Sequence, residues 1–194
     1  MIKHRNSFHA INTNSKNAKV KDIVFSLSNK FINNCNEEFL KKDYLCICSG
    51  STTSGCAKDD LITIDLRKNY NQISYDEFTG IARIGGGVVM GDLLKYLEKF
   101  NKMFPVGLSH LPGAGYILTG GISPLSRRYG LAIDNIVSAK GFFGNGNSFS
   151  LNIESLKEKE IKAWEGIKGA APFFAIVTEL GLQTFKTFPI KVFE

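Results

Sequence analysis

The order of strand and helix signals predicts an α+β fold built from two mixed α/β subdomains. Three observations carry that expectation. The first third of the chain reads as a strand–helix–strand–loop–strand unit. The remainder reads as hairpin, helix, glycine-rich stretch, hairpin, helix and strand, which does not alternate βα units. Third, the stretch from Pro105 to Val137 is dense in glycine, which is costly in chain entropy unless turns or close approaches need it. The domain is placed over residues 22–194, behind a basic arm of residues 1–21. Its subdomains cover about 22–68 and 69–194 and join near Arg67 to Gln72.

At 194 residues the chain is long enough for one domain with a sizeable core. Its 43% hydrophobic and 22% charged residues are ordinary for a globular protein. No apolar run reaches the length of a bilayer span, and the first 21 residues lack the apolar segment of a secretory signal. The expected location is therefore cytoplasmic, with no membrane contact. Lys3, Arg5, Lys16, Lys19 and Lys21 carry most of the net charge of +6, and the body is close to neutral. Without aromatic residues interleaved among the basic ones, the arm reads as a solvated tail rather than a nucleic-acid contact. Cys46 and Cys48 have strand spacing, but no histidine lies near them and the pattern lacks zinc spacing. Cys35, Cys46, Cys48 and Cys56 are read as buried thiols, and no metal is expected.

Asp22 to Phe25 reads as a short strand, and Ser26 or Ser28 can cap a helix running to about Lys42. Phe31, Ile32, Cys35 and Phe39 would share its buried face. Tyr44 to Cys48 is an apolar strand of the kind buried on both faces. It runs into Ser49-Gly50-Ser51-Thr52-Thr53-Ser54-Gly55, whose amides and hydroxyls can turn towards an anion. Taken alone that loop is a plain Ser/Gly connection; the second glycine-rich stretch favours the anion. Leu61 to Leu66 is the next strand.

Ile73 to Asp76 and Ile81 to Ile84 read as a hairpin turning through Glu77 to Gly80. Gly85-Gly86-Gly87 reads as the tight lead-in to a helix from Met90 to about Asn101, with Met90, Leu93, Leu94, Leu97 and Phe100 on one face. These glycines do not spell the dinucleotide fingerprint of alternating βα folds. Val137 to Phe143 and Ser148 to Leu151 flank the hairpin signal Gly144-Asn145-Gly146. Ser155 to Glu158 has the capping-box pattern, opening a helix that ends near Trp164. The last strand runs from Ala175 to Phe185.

The central stretch carries Gly113-Ala114-Gly115 and Thr119-Gly120-Gly121, then Leu125-Ser126-Arg127-Arg128-Tyr129-Gly130-Leu131 and Asp134-Asn135-Ile136-Val137. Bare backbone flanked by guanidinium groups suits a large phosphate-bearing ligand. Gap-free from Val106 to Val137, the stretch resembles the FAD-binding (PCMH-type) domain of the vanillyl-alcohol-oxidase and berberine-bridge-enzyme-like flavoproteins. Weaker similarity covers about residues 22 to 190. The resemblance implies FAD held between the two subdomains. Ser49, Gly50, Ser51, Thr52 and Thr53 would meet its pyrophosphate. Pro112, Gly113, Gly115, Thr119, Gly120 and Gly121 would pass beside the phosphates and flavin. Asn135, Ile136 and Val177 match positions near the nucleotide half, and Gly130 a close turn. Arg127 and Arg128 divide evenly between neutralising phosphate and supporting the fold.

Departures from the family pattern carry equal weight. Many relatives tether the flavin through a histidine, where this chain has Thr52, or a cysteine, where it has Leu108. Neither bond can form, so the resemblance implies non-covalent FAD. Tyr116, Ser123 and Pro124 replace other residues around the loop and would crowd the flavin edge. His110 reads as an anchor for the loop in preference to a general base. Near Lys168-Gly169 the family's glycine run is broken by Ala170, Ala171 and Pro172. Family members continue beyond this point with a substrate domain. The expected activity is hydride removal from an alcohol or amine-like carbon by an FAD-dependent oxidoreductase, with the substrate domain supplied by a second chain. The alternatives are a non-catalytic nucleotide-binding module or a truncated remnant. Catalytic residues are not assigned.

Overall fold

The structure, a computed structural model, describes residues 17–27, 45–48 and 56–189. The expected helix after Ser28, the loop from Ser49 to Gly55 and most of the basic arm lie outside them. A parallel sheet has the order β1–β3–β2, from β1 (Asp22–Val24), β2 (Leu45–Cys48) and β3 (Ile62–Asp65). An antiparallel sheet of five strands has the order β4–β5–β9–β7–β8. Its members are β4 (Ile73–Asp76), β5 (Ile81–Gly85), β7 (Ile136–Phe143), β8 (Ser148–Asn152) and β9 (Ala175–Gln183). A separate pair joins β6 (Lys102–Met103) to β10 (Phe185–Lys186).

Alternation decides which face of the five-stranded sheet is buried. Ala82 pairs with Leu182 and Ile84 with Leu180, and all four are fully buried. Leu93 and Leu97, from the helix Met90–Glu98, join the same core. On the opposite face, Lys140 Nζ sits 2.8 Å from Glu179 Oε1 across the β7–β9 pair. The β4–β5 turn is closed by Asp76, whose Oδ1 accepts from Phe78 N at 2.9 Å, and by Gly80 at φ +70°. The Thr79 hydroxyl first, then the amides of Phe78 and Thr79, hold the Asp76 carboxyl below its usual range.

Three helix boundaries differ from the sequence reading. The Met90 helix stops at Glu98, and Asn101 turns left-handed at φ +52°, a conformation asparagine tolerates. The late helix, Glu158–Ala170, continues past Trp164 to Ile167, one turn on and fully buried, before Lys168 and Gly169 leave helical geometry. Its first turn is closed by Lys157 N donating to Glu160 Oε2 at 3.0 Å, not by Ser155. Asn152 instead caps the 3-10 turn that contains Ser155.

Gly85-Gly86-Gly87 do more than lead into a helix. A Cβ at Gly85 would lie 2.1 Å from the Tyr70 carbonyl oxygen, at Gly86 2.3 Å from that of Val177, and at Gly87 2.2 Å from that of Leu66. The three glycines form the seam where the antiparallel sheet meets the end of the parallel one. Gly86 N donates to Thr178 O and Gly87 N to Tyr70 O, both at 2.8 Å. Tyr70 ties the seam from the other side, its hydroxyl accepting from Leu27 N at 3.0 Å. Ile64, Leu66, Phe142 and Ile176 fill the apolar space between the sheets. Asp65, almost fully buried beside the seam, is gripped by the Arg67 guanidinium at 2.9 and 2.7 Å.

Candidate cofactor site

Pro105 to Val137 is built outward from the helix Met90–Glu98. The first amides of a helix lack internal partners. Here Met90 N donates to Pro112 O at 2.8 Å and Gly91 N to His110 O at 3.0 Å. The His110 ring occupies the space a side chain at Gly91 would need, its Nδ1 only 1.7 Å from an ideal Cβ. Its Nε2 lies 3.4 Å from Asp92 Oδ1 on the exposed surface. His110 therefore anchors the loop. Val89 and Gly113 then form a bridge that fixes where the glycine-rich run begins.

After Gly113 the chain makes a single helical turn, Ala114–Leu118, closed by the Thr119 hydroxyl donating to Gly115 O at 3.0 Å. Gly120 at φ +127° and Gly121 at φ +75° reverse it, conformations that favour glycine. Their carbonyls accept from Ile133 N at 3.0 Å and Ala132 N at 2.9 Å. Gly121 is also required by packing, since its Cβ would stand 2.5 Å from that of Ala132. Gly115 differs from both. It has no positive φ, and nothing among the described residues lies within 4 Å of its ideal Cβ. Neither backbone conformation nor the described packing accounts for glycine there.

The Leu125 to Val137 block supports this run. Ser123 and Ser126 close the turn before Ser126–Tyr129, with Ser123 N donating to Ser126 Oγ at 2.9 Å. Gly130, at φ +75°, ends that turn against Asp134. The Asn135 side-chain amide donates to Tyr129 O and Leu131 O, both at 2.9 Å. The Arg128 guanidinium lies 4.6 Å from the centre of the Phe188 ring and 5.4 Å from that of Tyr129, which makes it part of the fold. Arg127 is exposed on the same turn.

Beside the glycine run opens a cleft of about 530 Å³, lined by Leu108, Pro112, Tyr116, Ile122, Ser123 and Pro124 among others. Leu108 is 93% exposed and Ile122 74%, an unusual amount of bare apolar surface at one rim. The Tyr116 hydroxyl lies against Gly107 and donates to Ile122 O. Burial raises the pKa of that phenol. No carboxylate or histidine is among the described residues that line the cleft.

Of the residues singled out from sequence, Ser49 to Thr53 lie outside the described residues. The strand leading to them ends at Cys48, paired with Asp65, and Leu66 abuts Gly87. Two residues on, Val89 bridges Gly113. Pro112, Gly113, Gly115, Thr119, Gly120 and Gly121 are thus brought together, with Gly130 and Asn135 behind them. Ile136 and Val177 are buried and not adjacent: Ile136 pairs with Leu182, five residues along β9 from Val177, roughly 17 Å away. Both are almost wholly covered by the chain itself, backbone included. Gly169, noted in the sequence as kept from the family's glycine run, was not assigned to the site. At φ +121° it breaks the helix that packs on Ala114–Leu118, and no described atom lies within 4 Å of its ideal Cβ. The Lys168-Gly169 pair in a broken glycine run was the signal.

The family described as an FAD binding domain matches residues 29–152. (R)-6-hydroxynicotine oxidase of Paenarthrobacter nicotinovorans is 36% identical over 139 residues, which are 71% of this chain and 29% of that oxidase. Berberine bridge enzyme-like 11 of Arabidopsis thaliana is 32% identical over 112 residues, covering 56% of this chain and 21% of that protein. Among solved structures, 6-hydroxy-D-nicotine oxidase from Arthrobacter nicotinovorans superposes with a TM-score of 0.77 at 29% identity, over 88% of this chain and 37% of that one. Xylooligosaccharide oxidase from Myceliophthora thermophila shares the fold, with a TM-score of 0.79 at 22% identity over 94% of this chain and 40% of that one. The chain thus spans well under half the length of these relatives.

Proposed function

This chain belongs to the FAD-binding domain family of the vanillyl-alcohol-oxidase and berberine-bridge-enzyme-like flavoproteins, and we propose that it holds FAD without a covalent bond. The mixed α/β architecture is the PCMH-type FAD-binding fold. The observation that carries the non-covalent reading is Leu108, exposed at the rim of the cleft where some relatives carry a tethering cysteine. Gly115 supports room for a large planar cofactor beside the glycine run, since neither its backbone conformation nor the packing seen among the described residues accounts for a bare backbone there.

Bound FAD supplies a hydride acceptor for oxidation of an alcohol or amine carbon. The chain's own residues position it. Gly113 to Gly121 present main chain to it, Ser49 to Thr53 provide amides and hydroxyls for its phosphates, and Tyr116 walls one end of the cleft. The cleft offers no described carboxylate or histidine as a base. We propose that a substrate domain, of the kind a second chain would bring, supplies the base and covers Leu108 and Ile122. The same observation supports a second reading, a flavin-binding module without turnover of its own. The proposed location is the cytoplasm. No described helix is long and apolar enough to cross a membrane.

Acid precipitation tests the bond to flavin. The purified protein, saturated with FAD and then denatured, should leave a colourless pellet and intact FAD in solution. Flavin colour that stays with the pellet contradicts the proposal.

A further inference from the structure

We propose that Arg128, Tyr129, Phe185 and Phe188 form a clamp through which the segment after β9 sets the backbone of Gly120 and Gly121. The inference rests on the FAD-binding reading and assigns these four residues a positioning role, away from the cofactor itself.

Tyr129 closes the turn Ser126–Tyr129 and stacks on Phe185 of β10, with ring centres 4.1 Å apart and an interplanar angle of 30°. Phe188 flanks the same ring at 6.3 Å. The Arg128 guanidinium covers both Phe188 and Tyr129. β10 is itself fixed, because Phe185 pairs with Met103 and Thr187 N donates to Asn101 O at 3.0 Å. The aromatic group therefore ties a short helical turn to a strand whose sequence position lies far beyond it.

From that turn, hydrogen bonds lead directly into the glycine run. Asn135 grips the carbonyls of Tyr129 and Leu131. Asp134 Oδ2 accepts from Leu131 N at 2.9 Å. Ala132 N and Ile133 N, held between these contacts, donate to Gly121 O and Gly120 O. Gly120 and Gly121 carry positive φ and have no side chains to fix them, so these two bonds, with that from Gly120 N to Ile117 O at 3.3 Å, determine where their peptides point. Releasing Tyr129 frees the turn, and the binding-competent arrangement of the glycines becomes one of several. Apparent affinity then falls by the fraction that remains competent.

Three variants test the clamp by flavin fluorescence titration, each with its melting temperature recorded without ligand. Arg128→Ala removes only the cation–π contacts at an exposed site and should weaken FAD by about two- to fivefold. Tyr129→Ala also removes the stack and should weaken it by about tenfold, with a shifted circular dichroism of the bound flavin. Tyr129→Phe keeps the ring and should restore both affinity and spectrum. Unchanged FAD affinity and flavin spectrum in Tyr129→Ala overturn the proposal. So does a Tyr129→Phe variant that loses as much as the alanine. Absence of FAD binding in the unaltered chain would instead overturn the reading on which the clamp rests.

Discussion

Alanine at Gly86 is expected to destabilise the protein by about 3 kcal/mol, the upper range for forcing atoms into a filled space. The added methyl would stand 2.3 Å from the Val177 carbonyl oxygen and 3.0 Å from Leu66 Cδ1. Backbone cannot move aside as a flexible side chain would. Either the sheets separate at the seam or Gly86 N loses its bond to Thr178 O. Small domains are stable by only about 5–15 kcal/mol, so the loss is large. Denaturant unfolding of Gly86→Ala measures it; a midpoint equal to that of the unaltered chain contradicts the account of the seam.

Leucine at Gly115 should do the reverse, sparing the fold and removing the ligand. The position is helical and unopposed among the described residues. Leucine favours helix over glycine by about 0.8 kcal/mol, so the melting temperature should hold or rise. A side chain there would occupy the space assigned to the cofactor, and FAD affinity should fall by at least about tenfold, or about 1.4 kcal/mol. Calorimetric titration of Gly115→Leu with FAD is the measurement. Full affinity in a folded variant would remove the glycine run from the site.

The two variants also mark what sequence could and could not reveal. Strands were legible where one pattern serves one face: Ile73 to Asp76 and the hairpin at Gly144-Asn145-Gly146 stand as read. The glycines at 85–87 were visible, but their reason was not, because the carbonyls they approach belong to Leu66, Tyr70 and Val177. The turns Ala114–Leu118 and Ser126–Tyr129 escaped for a related cause. Helices this short stand on tertiary contacts rather than local propensity. In the site, the motif at Leu125 to Val137 was plain. What it holds was not: Asn135 spends its amide on the Tyr129 and Leu131 carbonyls just before its own turn, and Arg128 lies on Tyr129 and on the Phe188 ring that arrives from beyond β9.

Beneath every reading of the site lies one claim, that exposed main chain from two distant segments grips the diphosphate of FAD. Parallel titrations with FAD and with riboflavin, which lacks the phosphates and the adenosine, address it most directly. Hydrogen bonds to charged groups contribute about 1.5–3 kcal/mol each, so two of them predict FAD binding at least about 100-fold tighter than riboflavin. Equal affinities for the two compounds, or no binding of FAD at all, would contradict the claim.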